Sequence, residues 1–338
     1  MIKVGVVGYG VIGQRLADGV MLQKDMKLVG VADVGPTLAV MALKEKGMIY
    51  DFYLAAPENR EKLEQYGIPI AGSLEELVQK VDVVLDATSA GVGAKNKQIY
   101  AKYGKKAVFQ GGEKTSVADV FFHGYANYEQ GLGKQFLKLT SCNTTGLIRS
   151  VDCLDRVMGI ENVIITIIRR VADPGDYHRG LTNALQVEPV PNHQAEDLML
   201  IMPHIKATGV LVHTPVTHGH IISVVAKPKR ATTKEEILKL FNAHPRIRVV
   251  RLADGFLGNA SLFRYARDLG NLRGDMYDIA VWDETITVFE DQIIFAINIP
   301  QEAVVIPESI DAIRASMEMQ TDRLEAVGLT NQYLKLGR

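Results

Sequence analysis

The sequence predicts an α/β protein with two domains, a doubly wound parallel sheet followed by an α+β domain with a largely antiparallel sheet. Three observations lead to this prediction. Over the first part of the chain, apolar strand-like runs alternate with helical stretches, as in βαβ units. From Asn162 onward, β-branched runs become more frequent and this strict alternation is lost. At 338 residues, the chain exceeds the size at which a single core usually keeps growing.

Composition and charge exclude several classes of protein. The formal net charge is −1 and no long basic block appears, so we expect neither nucleic acid nor an anionic membrane as partner. No run is long and apolar enough to cross a bilayer. Met1 leads directly into a predicted strand, which leaves no room for a cleavable leader, and Cys142 and Cys153 are spaced poorly for a structural disulfide. These features predict a protein of the reducing cytoplasm.

The first predicted strand, residues 3–7, runs into a glycine-rich turn that opens a helix. The G-x-G-x-x-G pattern in this context is typical of the Rossmann domain, which binds dinucleotides. Its first glycine permits the tight turn, its second lets a pyrophosphate approach the helix N-terminus, and its third lets the helix pack closely on the strand. The predicted cofactor-binding residues of this turn are Gly8, Gly10, Val11, Ile12 and Gly13.

The second predicted strand, residues 26–32, is followed by Asp33. About twenty residues after the glycine turn, a carboxylate is placed to accept hydrogen bonds from the adenosine ribose hydroxyls, and it repels a 2′-phosphate. The sequence therefore predicts NAD as the cofactor, with NADP as the alternative. A different interpretation is that Asp33 only caps the turn before Gly35.

The remaining elements of the first domain follow from apolar periodicity. We predict helices over residues 37–46, 74–80 and 96–103, short extended pieces near 50–52 and 68–70, and strands over 81–88, 107–110 and 136–140. In a doubly wound sheet, ligands bind outside the carboxyl ends of the strands. Thr88 and Gly112 lie at the ends of two of these strands and are therefore predicted to face the cofactor.

The hexapeptide Ser141–Gly146 places Cys142 at a strand-to-helix junction. Unpaired backbone N–H groups and the positive end of the helix macrodipole converge there and favour the thiolate, which is the nucleophilic form. The same N–H groups, together with the Asn143 side chain, are placed to stabilise an oxyanion formed when the sulfur attacks a carbonyl. The alternative is that Cys142 is a small buried hydrophobe.

The second domain is predicted from a long β-branched run, residues 163–170, which ends in paired arginines. After residue 307 the chain is predicted to be helical, with an apolar face that packs on the first domain and contains Ile310, Ile313, Met317 and Leu324. The predicted division is 1–141 for the dinucleotide-binding domain, 142–303 for the catalytic domain and 304–338 for the C-terminal helix.

Four segments together closely resemble the archaeal, type II phosphorylating glyceraldehyde-3-phosphate dehydrogenase family, and the resemblance covers essentially the whole chain. These segments are the glycine turn, Phe109–Lys114, Ser141–Gly146 and Arg169–Pro174. The resemblance implies that Cys142 attacks the aldehyde carbon of glyceraldehyde 3-phosphate and that hydride passes to the nicotinamide. Inorganic phosphate would then release 1,3-bisphosphoglycerate from the thioester. The resemblance also implies a homotetramer.

The resemblance assigns further site residues outside the glycine turn. Arginine suits the two phosphate groups of this reaction because its guanidinium presents paired donors. Gln194 and Ala195 stand where the family has a His-Gly pair, which leaves substrate contact there open. The implied substrate-binding residues are Ser141, Asn143, Thr144, Arg169, His193, Gln194 and Ala195, and the implied cofactor-binding residues are Arg170 and Gln301.

A base is needed for the proton of the thiohemiacetal hydroxyl, and histidine suits that role near neutral pH. The resemblance places the family histidine at His218, which we favour. Alternation along an extended segment puts His220 on the same side, so His220 stays open as the alternative. Two histidines so spaced also suggest a metal, but no third ligand of suitable spacing is visible, and we predict no metal site.

The alternatives are two related enzymes and one kind of non-catalytic protein. Aspartate-semialdehyde dehydrogenase and N-acetylglutamyl-phosphate reductase share the fold and the acyl-enzyme chemistry, but they lack this hexapeptide and this arginine pair. A dinucleotide-binding sensor would need no reactive thiol, and the altered segment before His218 is the feature that favours it. Faster alkylation of Cys142 than of Cys153 would distinguish the enzyme from the sensor.

Overall fold

The computed structural model describes residues 1–110, 112–170 and 185–337, which divide into two compact units. The first unit comprises Met1–Thr140 and Ile306–Leu334, and the second comprises Ser141–Val305 with the terminal residues from Lys335. The divisions fall after residues 140 and 305, where the sequence analysis placed them after 141 and 303. Among the described residues, no helix is both long enough and apolar enough to cross a membrane.

The described part of the first unit is built on an eight-stranded parallel sheet. Its strands are β1 Ile2–Val7, β2 Met26–Asp33, β3 Asp51–Leu54, β4 Gly72–Ser73, β5 Val83–Asp86, β6 Lys106–Phe109, β7 Val120–Phe122 and β8 Phe136–Leu139. The strand order is β4-β3-β2-β1-β5-β6-β8-β7, so the direction of winding reverses between β1 and β5. This arrangement confirms the predicted doubly wound fold, in which the ligand crevice lies at the carboxyl ends of the strands beside the reversal.

Helices connect these strands and pack their apolar sides on the sheet. They are α1 Val11–Met21, α2 Leu38–Glu45, α3 Arg60–Gln65, α4 Leu74–Lys80 and α5 Val92–Lys102. Leu77 and Val78 of α4 and Tyr100 of α5 belong to one buried cluster with Val84 and Phe109 of the sheet. Removing such side chains from water contributes roughly 25 cal/mol per Å² of apolar surface, which is the main force that holds the unit together.

Four features of the first unit differ from the prediction. Helix α3, Arg60–Gln65, was missed, and the extended piece expected near residues 68–70 is replaced by the short strand β4 at Gly72–Ser73. Helix α5 begins at Val92 and not at residue 96, because Gly91, with a φ of +82°, takes the left-handed conformation that starts the helix there. Strand β7 was missed, since three residues, Val120–Phe122, are too few to show a period of two. It pairs in parallel with β8 at the edge of the sheet.

The C-terminal segment forms two helices over residues 306–333, where one was predicted. Helix α10 spans Ile306–Ser316 and is buried along its whole length, and α11 spans Arg323–Tyr333. The Asp322 carboxylate accepts a hydrogen bond from the Glu325 N–H and so starts α11 as a separate helix. The predicted apolar face therefore does not continue, and Leu324 is 65% exposed.

Arg314 of α10 joins this segment to the rest of the first unit. Its guanidinium is fully buried and donates to the Asp25 carboxylate and, at 2.9 Å, to the Gln23 side-chain oxygen. Its Nε donates to the Thr330 hydroxyl at 3.1 Å. A buried cation with charged and neutral acceptors is costly to disrupt, so this contact stabilises the association of α10 with the parallel sheet domain.

The described part of the second unit contains a mixed sheet. Its strands are β9 Ile160–Arg170, β10 Gln186–Val187, β11 Lys206–Thr214, β12 His220–Pro228, β13 Ile247–Val250, β14 Ile279–Trp282, β15 Thr287–Phe289 and β16 Gln292–Ile299. The order is β10-β11-β9-β12-β16-β14-β13, with β15 paired to β16. Among the described pairings, only β9 with β11 and β13 with β14 are parallel, which confirms the predicted largely antiparallel sheet.

The helices of the second unit are α6 Cys142–Met158, α7 His193–Ile201, α8 Lys234–Ala243 and α9 Asn259–Asp268. Side chains of β9 alternate between the two sides of the sheet: Ile165 and Ile167 are fully buried, whereas Ile164 and Ile168 are 47% and 40% exposed. Val210 on the neighbouring β11 is 41% exposed. We call Ile164, Ile168 and Val210 the open face of this sheet.

Candidate active site

Cys142 is the first residue of α6, and Ser141 caps this helix. The Ser141 hydroxyl accepts a hydrogen bond from the Thr144 N–H (3.4 Å), and the Ser141 carbonyl accepts one from the Thr145 N–H (2.7 Å). The partly exposed thiol therefore lies at the positive end of a 17-residue helix, where the macrodipole and the first-turn N–H groups converge. This environment favours the thiolate.

A second set of contacts holds the first turn of α6 in place. The Thr144 hydroxyl donates to the Asp197 carboxylate (3.1 Å) and lies 2.8 Å from the Ser141 hydroxyl. Asp197 belongs to α7, so one helix orients the N-terminus of the other. Sequence reasoning missed Asp197, because no spacing or motif connects it with Thr144.

Cys153 differs from Cys142 in its surroundings. Its thiol donates to the Leu240 carbonyl (3.7 Å), and burial together with the nearby Asp152 carboxylate raises the pKa of Cys153 to about 12. A thiol that stays protonated at neutral pH is a poor nucleophile. The two cysteines of the chain thus occupy opposite chemical environments.

Asn143 follows Cys142 in the hexapeptide and, like Thr144 and Thr145, is buried. Its side chain is 1% exposed, and among the described residues its side-chain oxygen has no hydrogen-bond partner. A buried amide oxygen without a partner is costly, and a bound polar ligand is one way to satisfy it. Asn143 is therefore suitably placed for the predicted substrate role.

The histidine beside the thiol is His220 and not the favoured His218. Nε2 of His220 lies 3.6 Å from Sγ of Cys142. His218 is exposed, with its ring edge-on to Phe263 at a centroid separation of 4.7 Å. His218 was favoured from the resemblance, with His220 as the open alternative; Gly219 has a φ of +61° and turns the chain, so that β12 begins only at His220.

His220 is held from its other side by backbone. The Arg170 N–H donates to Nδ1 of His220 at 3.1 Å, and the ring is almost completely buried. Burial, followed by the positive charges of Arg170 and Arg169 and by His213, keeps the pKa of His220 well below its ordinary value. The ring is therefore neutral at physiological pH.

Arg170, predicted to contact the cofactor, makes its contacts within the second unit. Its guanidinium, 2% exposed, donates to the Glu302 carboxylate (2.8 Å) and to the Thr217 carbonyl (2.7 Å). Glu302 neutralises the buried charge, as such a cation requires. Sequence reasoning missed Glu302, although the neighbouring Gln301, which is partly exposed, was assigned to the cofactor.

Arg169, predicted to bind substrate, faces Glu188. The Glu188 carboxylate lies 3.6 Å from the Arg169 guanidinium, 2.8 Å from Nε2 of His213 and 3.7 Å from Nδ1 of His193. Partial burial and the Arg169 charge lower the pKa of His193. We call Arg169, Glu188, His193 and His213 the Glu188 cluster; the sequence analysis had named only Arg169 and His193 of its members.

Gln194 and Ala195, the residues at the family's His-Gly position, lie at the start of α7. Both are buried, and the Ala195 N–H donates to the Asn192 side-chain oxygen at 3.0 Å. The Gln194 amide nitrogen lies 2.7 Å from Nε2 of His193. Within the described chain, the Gln194 side-chain oxygen has no hydrogen-bond partner. Gln194 thus resembles Asn143 in offering a buried acceptor to a polar ligand.

The glycine turn of the first unit has the geometry that a pyrophosphate needs. Among the described residues, no side chain caps the N-terminus of α1, and a Cβ added to Gly10 would meet nothing within 4 Å. A Cβ on Gly13 would lie 1.9 Å from the Gly8 carbonyl oxygen, so only glycine allows this close packing. Val11 is 36% exposed beside Ile12 in the first turn. An open, uncapped helix N-terminus is suited to bind an anion, which fits a dinucleotide cofactor.

Asp33 ends β2 close to the glycine turn. Its carboxylate accepts hydrogen bonds from the Tyr9 N–H (3.0 Å) and the Val34 N–H (2.6 Å). Burial raises the pKa of Asp33, and these two hydrogen bonds act in the opposite direction. The Asp33 side chain thus stands beside the turn, where it was expected to meet the adenosine ribose.

Thr88 and Gly112 lie in the loops that follow β5 and β6. The Thr88 hydroxyl and N–H both donate to the buried Asp86 carboxylate, at 2.5 and 3.0 Å. A cleft of about 580 Å³ opens between these loops and α5. It is lined by Ala90, Gly91, Ala94, Lys97, Gly112, Glu113, Lys114, Ser116 and Val117. Gly112 therefore lines this cleft, whereas Thr88 does not.

The described residues bear on the predicted absence of a metal site and on two of the family segments. Over residues 1–110, 112–170 and 185–337, no group of three or more histidine, cysteine, aspartate or glutamate side chains is arranged to hold a metal ion. Gly111 of the Phe109–Lys114 segment and residues 171–174 of the arginine-pair segment lie outside the described residues.

Two family models match the chain. Residues 141–285 match the model described as glyceraldehyde 3-phosphate dehydrogenase, C-terminal domain. Residues 2–112 match the model described as dihydrodipicolinate reductase, N-terminus. The second model corresponds to the part of the chain that carries the glycine turn.

Curated proteins from Methanosarcina species resemble the chain over nearly its whole length. Glyceraldehyde-3-phosphate dehydrogenase 2 of Methanosarcina barkeri is 38% identical, with 99% of this chain and 98% of the relative covered. Glyceraldehyde-3-phosphate dehydrogenase of Methanosarcina mazei is 39% identical, with 99% of both chains covered. Glyceraldehyde-3-phosphate dehydrogenase 1 of Methanosarcina acetivorans is 40% identical, with 98% of both covered.

Among solved structures, aspartate semialdehyde dehydrogenase II from Vibrio cholerae has a similar fold. Its TM-score is 0.63 at 14% sequence identity, with 94% of this chain and 98% of that chain covered. At this identity, the likeness concerns the fold and not the substrate.

Proposed function

Because this chain belongs to the glyceraldehyde-3-phosphate dehydrogenase family, we propose that it oxidises glyceraldehyde 3-phosphate to 1,3-bisphosphoglycerate, with NAD(P) as hydride acceptor and inorganic phosphate as second substrate. The observation that carries the proposal is Cys142 at the start of α6, with its sulfur 3.6 Å from Nε2 of His220. A thiol placed in this way suits an enzyme that works through an acyl intermediate.

Cys142 begins the reaction as the nucleophile. Its thiolate forms a bond to the aldehyde carbon, and the electron pair of the carbonyl moves to the oxygen. The first-turn N–H groups of α6 and the side chains of Asn143 and His220 are the donors that surround this chemistry. Donors preorganised in a partly buried site stabilise such developing charge far better than water does.

Oxidation follows at the same carbon. A bound nicotinamide ring supplies the acceptor for the hydride that leaves this carbon. The carbonyl bond re-forms, and the acyl group stays on the Cys142 sulfur as a thioester. Inorganic phosphate then attacks the thioester carbon, and Cys142 leaves as the thiolate, which returns the enzyme to its starting state.

Arg169 is our candidate for one of the two phosphate groups. Its side chain is 34% exposed, and the separation of 3.6 Å from Glu188 is that of a loose ion pair. A phosphate offers paired oxygens to a guanidinium and would compete successfully with a single carboxylate at this distance. Arg170 is not proposed as a phosphate ligand, because its guanidinium is buried against the Glu302 carboxylate.

We assign NAD as the preferred cofactor. The support is Asp33, whose carboxylate is oriented by two backbone N–H groups beside the glycine turn. An acidic side chain there accepts ribose hydroxyls and repels a 2′-phosphate. A preference for NADP in steady-state kinetics would contradict this assignment.

A homo-oligomer in the cytoplasm belongs to the same proposal, with the homotetramer of the resembled family as its expected form. The open face presents exposed β-branched side chains on central strands, and a second copy of the chain would remove them from water. The two free cysteines suit a reducing compartment. Light scattering that gives a monomer mass at micromolar concentration would contradict the oligomer.

The function is tested by NADH formation from glyceraldehyde 3-phosphate, measured with and without inorganic phosphate. In the wild type, we expect one equivalent of NADH per site without phosphate and continuous turnover with it. Cys142→Ser should lose both, by a factor of at least about 10⁴, because the nucleophile is removed. Cys153→Ser is the matched control and should keep both, since that buried thiol takes no part.

Phosphate-dependent turnover that survives in Cys142→Ser would overturn the thioester mechanism. Absence of turnover in the wild type with NAD and with NADP would move the assignment to another aldehyde substrate or to a dinucleotide-binding sensor. The rate of alkylation of Cys142 relative to Cys153 would then separate these two outcomes.

A further inference from the structure

The buried carboxylate of Asp86, at the end of β5, accepts four hydrogen bonds. Its Oδ1 accepts from the Thr88 N–H (3.0 Å) and the Thr88 hydroxyl (2.5 Å). Its Oδ2 accepts from the Asn96 side-chain amide (3.1 Å) and the Tyr100 hydroxyl (2.7 Å). A carboxylate that is only 2% exposed needs such donors, because its burial without them is costly. One oxygen of Asp86 therefore holds the loop after β5, and the other holds α5.

The contact with Asp86 decides what the Thr88 hydroxyl can offer to a ligand. An ionised carboxylate accepts and does not donate, so the single proton of the Thr88 hydroxyl points at Asp86. No group of the described chain donates to the Thr88 hydroxyl oxygen, and Thr88 is partly exposed. The Thr88 oxygen can therefore accept a hydrogen bond from a ligand, but its proton is already engaged.

Two side chains of α5 fix Asp86 from the opposite side. Tyr100 is fully buried in the apolar cluster that α5 forms with the sheet. Burial, followed by the charge of Asp86, raises the pKa of Tyr100 well above its ordinary value, so its hydroxyl keeps the proton that it donates. Asn96 lies one turn earlier on the helix and donates to the same oxygen. The orientation of the carboxylate, and with it that of the Thr88 hydroxyl, is therefore set by α5.

The loop after β5 lies directly beside the glycine turn. The Ala87 N–H donates to the Val7 carbonyl at 2.8 Å, and a Cβ on Gly8 would lie 2.8 Å from the Thr88 nitrogen. Strand β1 lies between β2 and β5 in the sheet, so Thr88 is on one side of the turn and Asp33 is on the other. A dinucleotide crosses the carboxyl ends of the strands at this reversal, with its adenosine ribose at the Asp33 side. Thr88 is therefore placed for the other half, the nicotinamide riboside.

We propose that Asp86 is a positioning residue for the cofactor: it holds the Thr88 hydroxyl so that the Thr88 oxygen accepts a hydrogen bond from the nicotinamide riboside half of the dinucleotide. This half carries ribose hydroxyls and a carboxamide N–H, which are donors of the required kind. Asp86 itself does not touch the cofactor and acts through Thr88. The inference rests on the proposed function and adds a contact to its cofactor site.

Calorimetric titration of Thr88→Val tests the acceptor. Valine has nearly the shape of threonine but no hydroxyl, so NAD should bind about five- to tenfold more weakly, the effect of one lost hydrogen bond. ADP lacks the nicotinamide riboside and should bind within about twofold of the wild type. Thr88→Ser keeps the hydroxyl and should bind NAD like the wild type. Unchanged NAD affinity in Thr88→Val would overturn the proposal.

ADP-ribose identifies the donor on the cofactor, because it contains the second ribose but not the nicotinamide. If Thr88→Val binds ADP-ribose and NAD with the same loss, the donor is a ribose hydroxyl. If only NAD binding is weakened, the donor is the carboxamide. Both results support the proposal, whereas an equal loss for ADP would contradict it, since ADP has neither group.

Two substitutions at Asp86 test whether it acts through Thr88. Asp86→Leu removes both acceptor oxygens and should weaken NAD binding as much as Thr88→Val does. Asp86→Asn keeps one oxygen, which should turn to the Thr88 N–H because that group only donates, while the Tyr100 hydroxyl can reverse and accept. NAD affinity in Asp86→Asn should therefore stay within about twofold of the wild type. Adding Asp86→Leu to Thr88→Val should cause no further loss, because both changes remove the same hydrogen bond.

Tyr100→Phe is the matched control for a purely structural effect. It removes a buried donor to Asp86 and should lower the urea midpoint of unfolding, but Asn96 still holds the carboxylate, so NAD affinity should be unchanged. NAD and ADP affinities that fall together with stability in all these variants would show that Asp86 is only structural. If Asp86→Leu does not fold, Thr88→Val and Asp86→Asn still decide the question.

These outcomes differ from failure of the proposed function itself. If the wild type does not bind NAD and forms no NADH from glyceraldehyde 3-phosphate, the function is wrong. If the wild type is active and binds NAD, but Thr88→Val binds NAD equally well, only the role of Asp86 is wrong.

Discussion

Helices α1 and α6 each begin at a proposed ligand site, but their N-termini are built differently. At α1, the N-cap is Gly10, with no side-chain hydrogen bond and no neighbour within 4 Å of the missing Cβ. At α6, the N-cap is Ser141, whose hydroxyl accepts the Thr144 N–H. The uncapped start of α1 is suited to bind an anion from outside, whereas the capped start of α6 is suited to stabilise the proposed thiolate of its own first residue, Cys142.

The difference between these two N-caps also explains which contacts hold the start of each helix in place. The start of α6 is held by the hydrogen bond between Thr144 and Asp197, which suits the proposed nucleophile, because it must keep its position through several steps. The α1 terminus is shaped instead by absence of side chains, at Gly8, Gly10 and Gly13. The start of α6 is thus held by hydrogen bonds between side chains, whereas the start of α1 depends on the room that its glycines leave.

The largest effects are expected for substitutions of the glycines at the start of α1. Gly13→Ala should lower the free energy of unfolding by about 3 kcal/mol, because its Cβ would lie 1.9 Å from the Gly8 carbonyl oxygen. Gly10→Ala, with open space around the Cβ, should cost less than about 1 kcal/mol and yet weaken NAD binding at least about tenfold, since the methyl group occupies the approach of the pyrophosphate. Denaturant unfolding and calorimetric titration of NAD measure the two quantities.

If Gly10→Ala left NAD affinity unchanged, the empty N-terminus of α1 would not be the pyrophosphate site. If Gly13→Ala were as stable as the wild type, the close approach of α1 to β1 would not depend on glycine.

An intermediate effect is expected at the cap of α6. Ser141→Ala removes the acceptor of the Thr144 N–H and should lower the free energy of unfolding by about 1 kcal/mol, whereas Ser141→Gly should cost only a few tenths. The frayed first turn should also slow alkylation of Cys142 by iodoacetamide at fixed pH. Mass spectrometry of the alkylated peptide, with Cys153 as internal reference, follows this rate.

Unchanged alkylation in Ser141→Ala, together with the expected loss of stability, would show that the cap supports the helix but not the thiolate. The comparison between the two N-termini would then apply to folding alone.

The smallest effect on stability is expected at Asp33. Burial raises its pKa, so the folded protein holds this proton more tightly than the unfolded chain does. The free energy of unfolding therefore falls as the pH rises from the ordinary aspartate range, about 4, through the raised pKa. Asp33→Asn lacks this ionisation, so it should match the wild type at low pH and be the more stable protein at neutral pH. Urea unfolding at the two pH values, without cofactor, measures the difference.

The same variant should change cofactor choice. Loss of the carboxylate charge removes the repulsion of a 2′-phosphate, so the ratio of kcat/KM for NADP over NAD should rise severalfold in Asp33→Asn. An unchanged ratio would show that Asp33 does not contact the ribose and has only a structural role in the turn.

Features that depend on residues close in sequence could be predicted. The glycine turn, the cysteine at a helix start and the alternating strands of the first unit follow from local pattern, because backbone conformation and helix capping act over a few residues. The choice between His218 and His220 could not be made in this way, because the resemblance favoured His218 and the sequence left His220 open, whereas only the fold shows which ring lies beside Cys142.

The carboxylates that organise the second unit could not be predicted. Glu188, Asp197 and Glu302 contact Arg169, Thr144 and Arg170 through pairings that no motif encodes. The continuation of one apolar face into α11 was also wrong, since Asp322 begins a new helix there. In each case, a side chain far away in sequence, or a single capping residue, decides the result.

By itself, the sequence determined the parallel and antiparallel sheets, the glycine turn and the position of Cys142 at a helix start, since each depends on neighbouring residues. Only the tertiary structure decided which histidine meets the thiol and which carboxylate neutralises the buried arginine. Cys142 and His220 are 78 positions apart, and Arg170 and Glu302 are 132 apart. Contacts over such separations arise from the pairing of β9, β12 and β16 and from packing of α6, which the chain establishes only when it folds.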